Sequence, residues 1–145
     1  MKTVIQRVSK ASVSIEGKTI GKIGLGMVVL IGFSKKDSAE DIPSMVDKIL
    51  HLRIFEDNQQ KMNKALLDVG GEILLISQFT LLGDTRKGRR PNFMNAAPPD
   101  VAQKLYQKFI QEFQNRKVPV QTGQFQAYMQ VLINNDGPVT LILEK

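Results

Sequence analysis

The hydrophobic period of this sequence switches between two and 3.6 along the chain, and the segments do not alternate strictly between strand and helix patterns. Ala11, Val13 and Ile15 alternate with Ser12 and Ser14, the pattern of a half-buried strand, and Gly17 offers a turn into a second arm over Thr19–Ile23. Met27–Ile31 is a continuous apolar run between glycines, as in a strand covered on both faces. Ile42, Met45, Val46, Ile49 and Leu50 then fall at i, i+3, i+4, i+7 and i+8, the apolar stripe of a helix. Ser38 or Asp41 could cap that helix, Pro43 fits its first turn, and Ile54 and Phe55 are expected to end it before a polar turn at Asp57 and Asn58.

Gly70-Gly71 launch a further apolar strand, Ile73–Ile76, which is expected to run on through Ser77-Gln78-Phe79-Thr80-Leu81. Pro98 and Pro99 introduce a second helix whose buried row is Val101, Leu105, Phe109 and Phe113, with Gln103, Lys104, Gln107, Lys108 and Gln111 facing water. Tyr128–Ile133 and Val139–Leu143 read as two strands split by a tight turn at Asn134–Pro138, and Val118–Gln121 is a candidate extra strand. The order β-β-β-α-β-α-β-β, with strands clustered at both ends, predicts an α+β fold. Its sheet would be mixed or mainly antiparallel, and could close toward a barrel.

Length limits the chain to a single domain over residues 1–145, without internal repeats or linkers. With 42% hydrophobic and 23% charged residues it can bury a core and is not a disordered composition. The absence of Cys excludes disulfides, thiolate zinc sites and a cysteine nucleophile, and a single His excludes a multi-histidine metal site. No metal and no cofactor are expected. No apolar run approaches the roughly 20 residues needed to span a bilayer, and the first residues lack a signal-peptide core, so a cytoplasmic protein is expected. The net charge of +6 favours a polyanionic partner.

Four stretches could carry chemistry. His51 sits near the end of the first helix with no Ser or carboxylate pattern around it, and reads as a helix-ending surface residue. Arg86, Lys87, Arg89 and Arg90 crowd around Gly88 and before Pro91, a loop able to neutralise phosphates or simply to be solvated. Ser77, Gln78, Phe79 and Thr80 place three hydrogen-bonding side chains and a Phe at a strand end, where unpaired N–H groups can hold an oxyanion. Asn135-Asp136-Gly137-Pro138 reads as a turn; a cis bond there would point two carbonyls into one space.

Taken together, Ser77-Gln78-Phe79-Thr80-Leu81 and Asn135-Asp136-Gly137-Pro138-Val139-Thr140 resemble the motif pair of the D-aminoacyl-tRNA deacylases. Gln6-Arg7-Val8-Ser9, Leu52–Asp57, Lys61-Met62-Asn63, Asp84–Gly88 and Ala96–Pro99 extend the likeness over essentially the whole chain. Two positions depart from the pattern: Gln126 stands where a glycine commonly precedes Ala127, and His51 where Asn is usual. The resemblance implies a homodimer that hydrolyses the ester joining a D-amino acid to the 3′ adenosine of tRNA, and also glycine mischarged on alanine tRNA. It implies a Gly-cis-Pro element at Gly137-Pro138 that enters the partner's site and rejects L-amino acids. It places catalysis around Ser77, Gln78, Phe79 and Thr80, and substrate contacts at Phe79, Met129, Asn135 and Thr140. Arg86, Lys87, Arg89 and Arg90 would then meet tRNA phosphates. The rival reading is a non-catalytic RNA-binding module that uses the basic loop with Phe79 or Phe93 as stacking platforms; a structural protein with incidental charge is the third.

Overall fold

The computed structural model describes all of residues 1–145. Three strands open the chain, β1 (Lys2–Ile15), β2 (Lys18–Ile23) and β3 (Gly26–Gly32), followed by helix α1 (Ile42–Leu50) and a small hairpin, β4 (Phe55–Glu56) with β5 (Met62–Lys64). Strand β6 (Glu72–Ser77), helix α2 (Pro99–Asn115), β7 (Val120–Thr122) and β8 (Gln130–Glu144) complete it. β1 is the spine. β8 runs antiparallel along one of its edges, while β3 and then β2 occupy the other, also antiparallel. β6 joins β3 in parallel and β7 joins β6 in parallel, so the sheet is mixed, as expected. It curls until β2 nears β7: a Cβ on Gly21 would stand 3.0 Å from the Thr122 carbonyl oxygen. This is an α+β fold with a nearly barrel-shaped mixed sheet.

The continuous apolar runs are explained by two cores on opposite faces of the sheet. Val28, Leu74 and Ile76 point into the curl with Val8, Ala11, Val13 and Ile23. Met27, Val29, Ile31, Ile73 and Leu75 point the other way, onto α1 and α2. β3 and β6 are therefore buried on both faces, which is what a parallel pair under helices requires. α1 contributes Ile42, Met45, Val46, Ile49 and Leu50, the stripe its spacing predicts. Asp41 accepts hydrogen bonds from the N–H and hydroxyl of Ser38, at 3.4 and 3.2 Å, just ahead of the helix.

Several boundaries differ from the sequence reading, each for a physical reason. β1 begins at Lys2 rather than near Ala11, because its buried positions include Thr3 and Arg7, which mask the apolar alternation. An extra residue at Ser9, between the pairs Val8–Asn135 and Lys10–Asn134, then switches which positions face the core. α1 ends at Leu50, and Phe55 leaves it to pair with Lys64. In α2, Val101 is exposed, and Ala102 and Tyr106 join Leu105, Phe109 and Phe113 inside. The extra strand is Val120–Thr122, a little later than read.

Two corrections bear on function. β6 stops at Ser77, and Phe79–Leu82 form a 3₁₀ turn instead of continuing the strand. Asn134–Pro138 do not reverse the chain: β8 is one strand from Gln130 to Glu144, paired with β1 on both sides of that segment. Between the pairs Val8–Asn135 and Gln6–Thr140 only Arg7 intervenes on β1, whereas Asp136-Gly137-Pro138-Val139 intervene on β8. The segment is a wide bulge, and Pro138, which has no N–H to give to a ladder, sits where no ladder bond is made.

Phe109 is fully buried, edge-on to both Phe33 and Phe113. Phe109→Ala is expected to destabilise the fold by about 3–5 kcal/mol, measured as a drop in ΔG of urea unfolding.

Candidate functional site

The parallel strands β3 and β6 both end at the same place, and a cleft of about 540 Å³ opens there. Ile31, Gly32 and Phe33 form one wall and Ile76, Ser77, Gln78 and Phe79 another. Ala97, Pro99 and Ala102 close it at the start of α2, and Phe125–Met129 cross its remaining side. The carboxyl ends of parallel strands are where such sheets bind ligands, since pairing stops and backbone groups become available. Gly32 is required by packing: a Cβ there would lie 2.4 Å from Leu82 Cδ2 and 2.8 Å from the Gln78 carbonyl oxygen. A larger residue would push the 3₁₀ turn off β3.

Gln78 is anchored by its N–H donating to the Ile31 carbonyl at 2.7 Å. Its Nε2 donates to the Thr80 hydroxyl, and the Thr80 carbonyl accepts from Gly83 N–H at 3.0 Å. Phe79 and Thr80 stand at the start of the turn, where N–H groups have no partner within it. Both side chains are exposed. No carboxylate, imidazole or amine contacts the Thr80 hydroxyl; its one hydrogen bond is with an amide that donates to it. Ser77, Gln78, Phe79 and Met129 thus share the cleft, with Thr80 beside it.

Gln126, at the position where the resemblance leads one to expect glycine, has φ of +62°. The backbone keeps a glycine-like conformation with a side chain on it, so the departure leaves the path of the cleft's rim intact at a cost of about 1–2 kcal/mol.

Asn135, Gly137, Pro138 and Thr140 do not line this cleft; they lie on the β8 bulge. The Gly137-Pro138 peptide is cis, and Gly137 has φ of +114°. Thr140 Oγ1 receives Asn135 Nδ2 at 2.9 Å and Gln6 Nε2 at 3.3 Å, a pinch across the base of the bulge. Asn135 Oδ1 is buried without a partner in the chain. Inside the bulge lies Arg7, only 5% exposed. Its Nη1 donates to the Ile54 carbonyl at 2.8 Å and its Nε to the Asp136 carbonyl at 3.3 Å. The carboxylates of Asp136 and Glu56 stand 3.0 and 3.6 Å away. Arg7 is the residue that reading patterns alone overlooked; the signal was a cation at an inward position of a strand.

Arg86, Lys87, Arg89 and Arg90 are all exposed, on a hairpin-like loop whose base is closed by Asp84 and Asn92, N–H to carbonyl in both directions at 2.8 and 2.9 Å. Arg86 is not a free charge: its guanidinium grips the Asp84 carboxylate at 2.6–3.1 Å. His51 ends α1 as expected, exposed, with Nδ1 2.8 Å from the Asp47 carbonyl. The molecule contains no cluster of three or more acidic or His side chains suited to a metal, and no helix is long and apolar enough to cross a membrane.

This geometry has relatives. The family model for D-Tyr-tRNA(Tyr) deacylase matches residues 4–144. Proteins called D-aminoacyl-tRNA deacylase from Thermosipho africanus and Clostridioides difficile are 55% and 52% identical over 144 residues, each match covering 99% of this chain and 97% of the relative. A solved structure described as c-Myc DNA Unwinding Element Binding Protein superposes with a TM-score of 0.94 at 44% identity, covering 100% of this chain and 99% of its own. A second, described as a probable eukaryotic D-amino acid tRNA deacylase, gives 0.83 at 22% identity over 98% and 97%, and speaks for the fold alone. The chain belongs to the D-Tyr-tRNA(Tyr) deacylase family. It is thereby an enzyme of the hydrolase class.

The side-chain hydrogen bonds from Arg86 hold the Asp84 carboxyl down at about 2, from an ordinary 3.8. A depressed folded value means the pairing adds stability above the ordinary value and loses it as pH falls from 3.8 through about 2. The carboxyl ¹³C shift of Asp84 is expected to titrate near the lower figure, and to return toward the ordinary one in Arg86→Ala.

Proposed function

We propose that this enzyme hydrolyses the ester of D-aminoacyl-tRNA, releasing the free D-amino acid and tRNA, and that it acts on glycine mischarged to alanine tRNA by the same route. The observation that carries the reading is the cleft at the ends of β3 and β6, where Phe79 and Thr80 open a 3₁₀ turn beside an apolar pocket. The 3′ adenosine lies against Phe79 and Met129. The ester carbonyl takes hydrogen bonds from the N–H groups of Phe79 and Thr80, each worth about 3–4 kcal/mol in the transition state. Water attacks the carbonyl carbon, the acyl–oxygen bond breaks, and the ribose oxygen leaves with a proton relayed by the neighbouring 2′-hydroxyl. Because Thr80 has no base beside it, this route is favoured over a covalent acyl-threonine.

The active species is a homodimer. β8 pairs with the chain only through β1, so its outer edge is open along the strand, with Leu132 71% and Ile142 61% exposed on it. A long apolar edge strand invites a second copy. The chain also exposes 8786 Å², whereas a monomer of this mass would be expected to expose about 7,400 Å². In the dimer the bulge of one protomer faces the other's cleft. The carbonyls of Gly137 and Pro138 hold the substrate ammonium, so an L side chain would collide with them and a D side chain, or none, would not. Asn135 and Thr140 support this wall. Lys87, Arg89 and Arg90 receive tRNA phosphates, with Arg86 held back by Asp84. The enzyme works in the cytoplasm, where charged tRNA is found.

The direct test is release of free amino acid under chelator. D-tyrosine should leave D-tyrosyl-tRNA while L-tyrosyl-tRNA stays charged, and a protein that binds either tRNA without releasing product would instead be a nucleic-acid-binding module. Thr80→Ala should keep turnover within about tenfold; a nucleophile's loss would cost about 10⁶ in kcat. Replacing Lys87, Arg89 and Arg90 by Ala should weaken tRNA binding and reduce the slope of log affinity against log salt by about two to three. Sedimentation equilibrium should return twice 16.2 kDa.

A further inference from the structure

The exposed ring of Phe79 depends on a residue outside the cleft. Phe79 is 56% exposed, and its aromatic neighbour is Phe93, edge-on at 5.1 Å between centroids with the planes at 63°. Phe93 does not line the cleft. Its ring lies over Gly83, where a Cβ would come within 2.9 Å of Phe93 Cε1 and 3.0 Å of the Thr80 carbonyl oxygen, so a glycine is needed to let the ring in. The Phe93 backbone is clamped on both sides. Before it, Asn92 closes the base of the basic hairpin through its two hydrogen bonds with Asp84, and its Oδ1 accepts from Met94 N–H at 2.9 Å. After it, Ala96 N–H donates to the Phe93 carbonyl, Asn95 accepts from Lys35 N–H, and Ala97 N–H donates to the Phe33 carbonyl beyond β3. An exposed ring is thus backed by one that its own backbone holds in place.

We propose that Phe93 is a positioning residue: it seats Phe79 against the bound adenosine and ties that seat to the hairpin that meets the RNA backbone. The inference rests on the deacylase reading above and adds a residue to it. An edge-on aromatic pair contributes orientation beyond the area it buries, so losing the ring edge should loosen Phe79 without emptying the core. Phe93 touches no substrate; its effect passes through Phe79.

The experiment measures kcat/KM on two substrates, D-tyrosyl-tRNA and the D-tyrosyl ester of adenosine, which offers the hairpin no phosphates. Phe93→Leu should lose about three- to tenfold on both, the range an aromatic pair spans. Phe93→Tyr, which keeps the ring, should restore the rate. The double variant Phe79→Leu/Phe93→Leu should be no worse than Phe79→Leu alone, because Phe93 then has nothing to position. Unchanged rates in Phe93→Leu, a loss confined to D-tyrosyl-tRNA, or losses that multiply in the double variant would each overturn the proposal. Phe93→Met is carried in parallel and judged by the same outcomes, in case Phe93→Leu unfolds on a thermal melt. A wild-type enzyme that releases no D-tyrosine overturns the functional reading together with this inference, whereas an active wild type with an indifferent Phe93→Leu overturns only the latter.

Discussion

A guanidinium buried in a sheet is the constraint on which the long bulge of β8 depends. Arg7 occupies an inward position of β1, opposite the one stretch of β8 that makes no ladder. Burying a cation is unfavourable unless it is paired and hydrogen-bonded. Here the pairing comes from the bulge itself, through the Asp136 carbonyl and carboxylate, and from the chain after α1, through the Ile54 carbonyl and Glu56. The bulge therefore cannot relax into the ladder without stranding the charge, and Arg7 cannot turn to water without releasing the bulge. One residue fixes where Asp136 and Gly137 stand relative to the spine of the sheet, and it does so from the strand that every antiparallel pair of the large sheet uses.

The cleft is held by a different device, close backbone approach. Gly32 lets the 3₁₀ turn lie on the end of β3, and Gly83 lets Phe93 lie on the turn. Gln78 N–H is spent on the Ile31 carbonyl, so the turn starts from a fixed point on the sheet and the N–H groups of Phe79 and Thr80 follow it without a partner in the turn. The two motifs are thus built separately, one by a charge inside a bulge and one by small residues beneath a turn. Within a protomer they are held by different residues.

Much of this was legible in the residues, and the failures have causes. The hairpin at Gly17, the doubly covered run in β3, the apolar strand β6 and the stripe of α1 follow from period and apolar content alone. Thr3 and Arg7 concealed the first half of β1, since a polar residue at an inward position looks like a break in the pattern. Asn134–Pro138 carry turn residues, and local composition cannot distinguish a turn that reverses the chain from a bulge that lets it continue; that distinction belongs to the partner strand. The same holds for Ser77–Leu81, where the pairing that ends at Ser77 is decided by β3, 46 residues earlier in each pair from Gly26–Glu72 to Ile31–Ser77. The motif residues stood out by their pattern and drew their proposed roles from the resemblance, whereas the groups that hold them in place, Arg7 and Gly32 among them, carried no role in that reading.

The chemistry proposed for this cleft is modest. An aminoacyl ester carries its own activation in the adjacent ammonium and vicinal hydroxyl, so little is gained from a strong base. What is gained comes from fixed donors and a fixed orientation, both of which a rigid backbone provides without titratable groups. A side-chain catalyst would introduce a proton that must be managed, and would act equally on the L ester if that ester reached it. The proposed site, with main-chain donors on one face and main-chain acceptors on the other, would have no reactive group to misdirect, and its selectivity would reside in which acyl group can fit between the two faces. On that argument the proposed route makes no use of the lone His at the end of α1, which is exposed and bonded to its own helix.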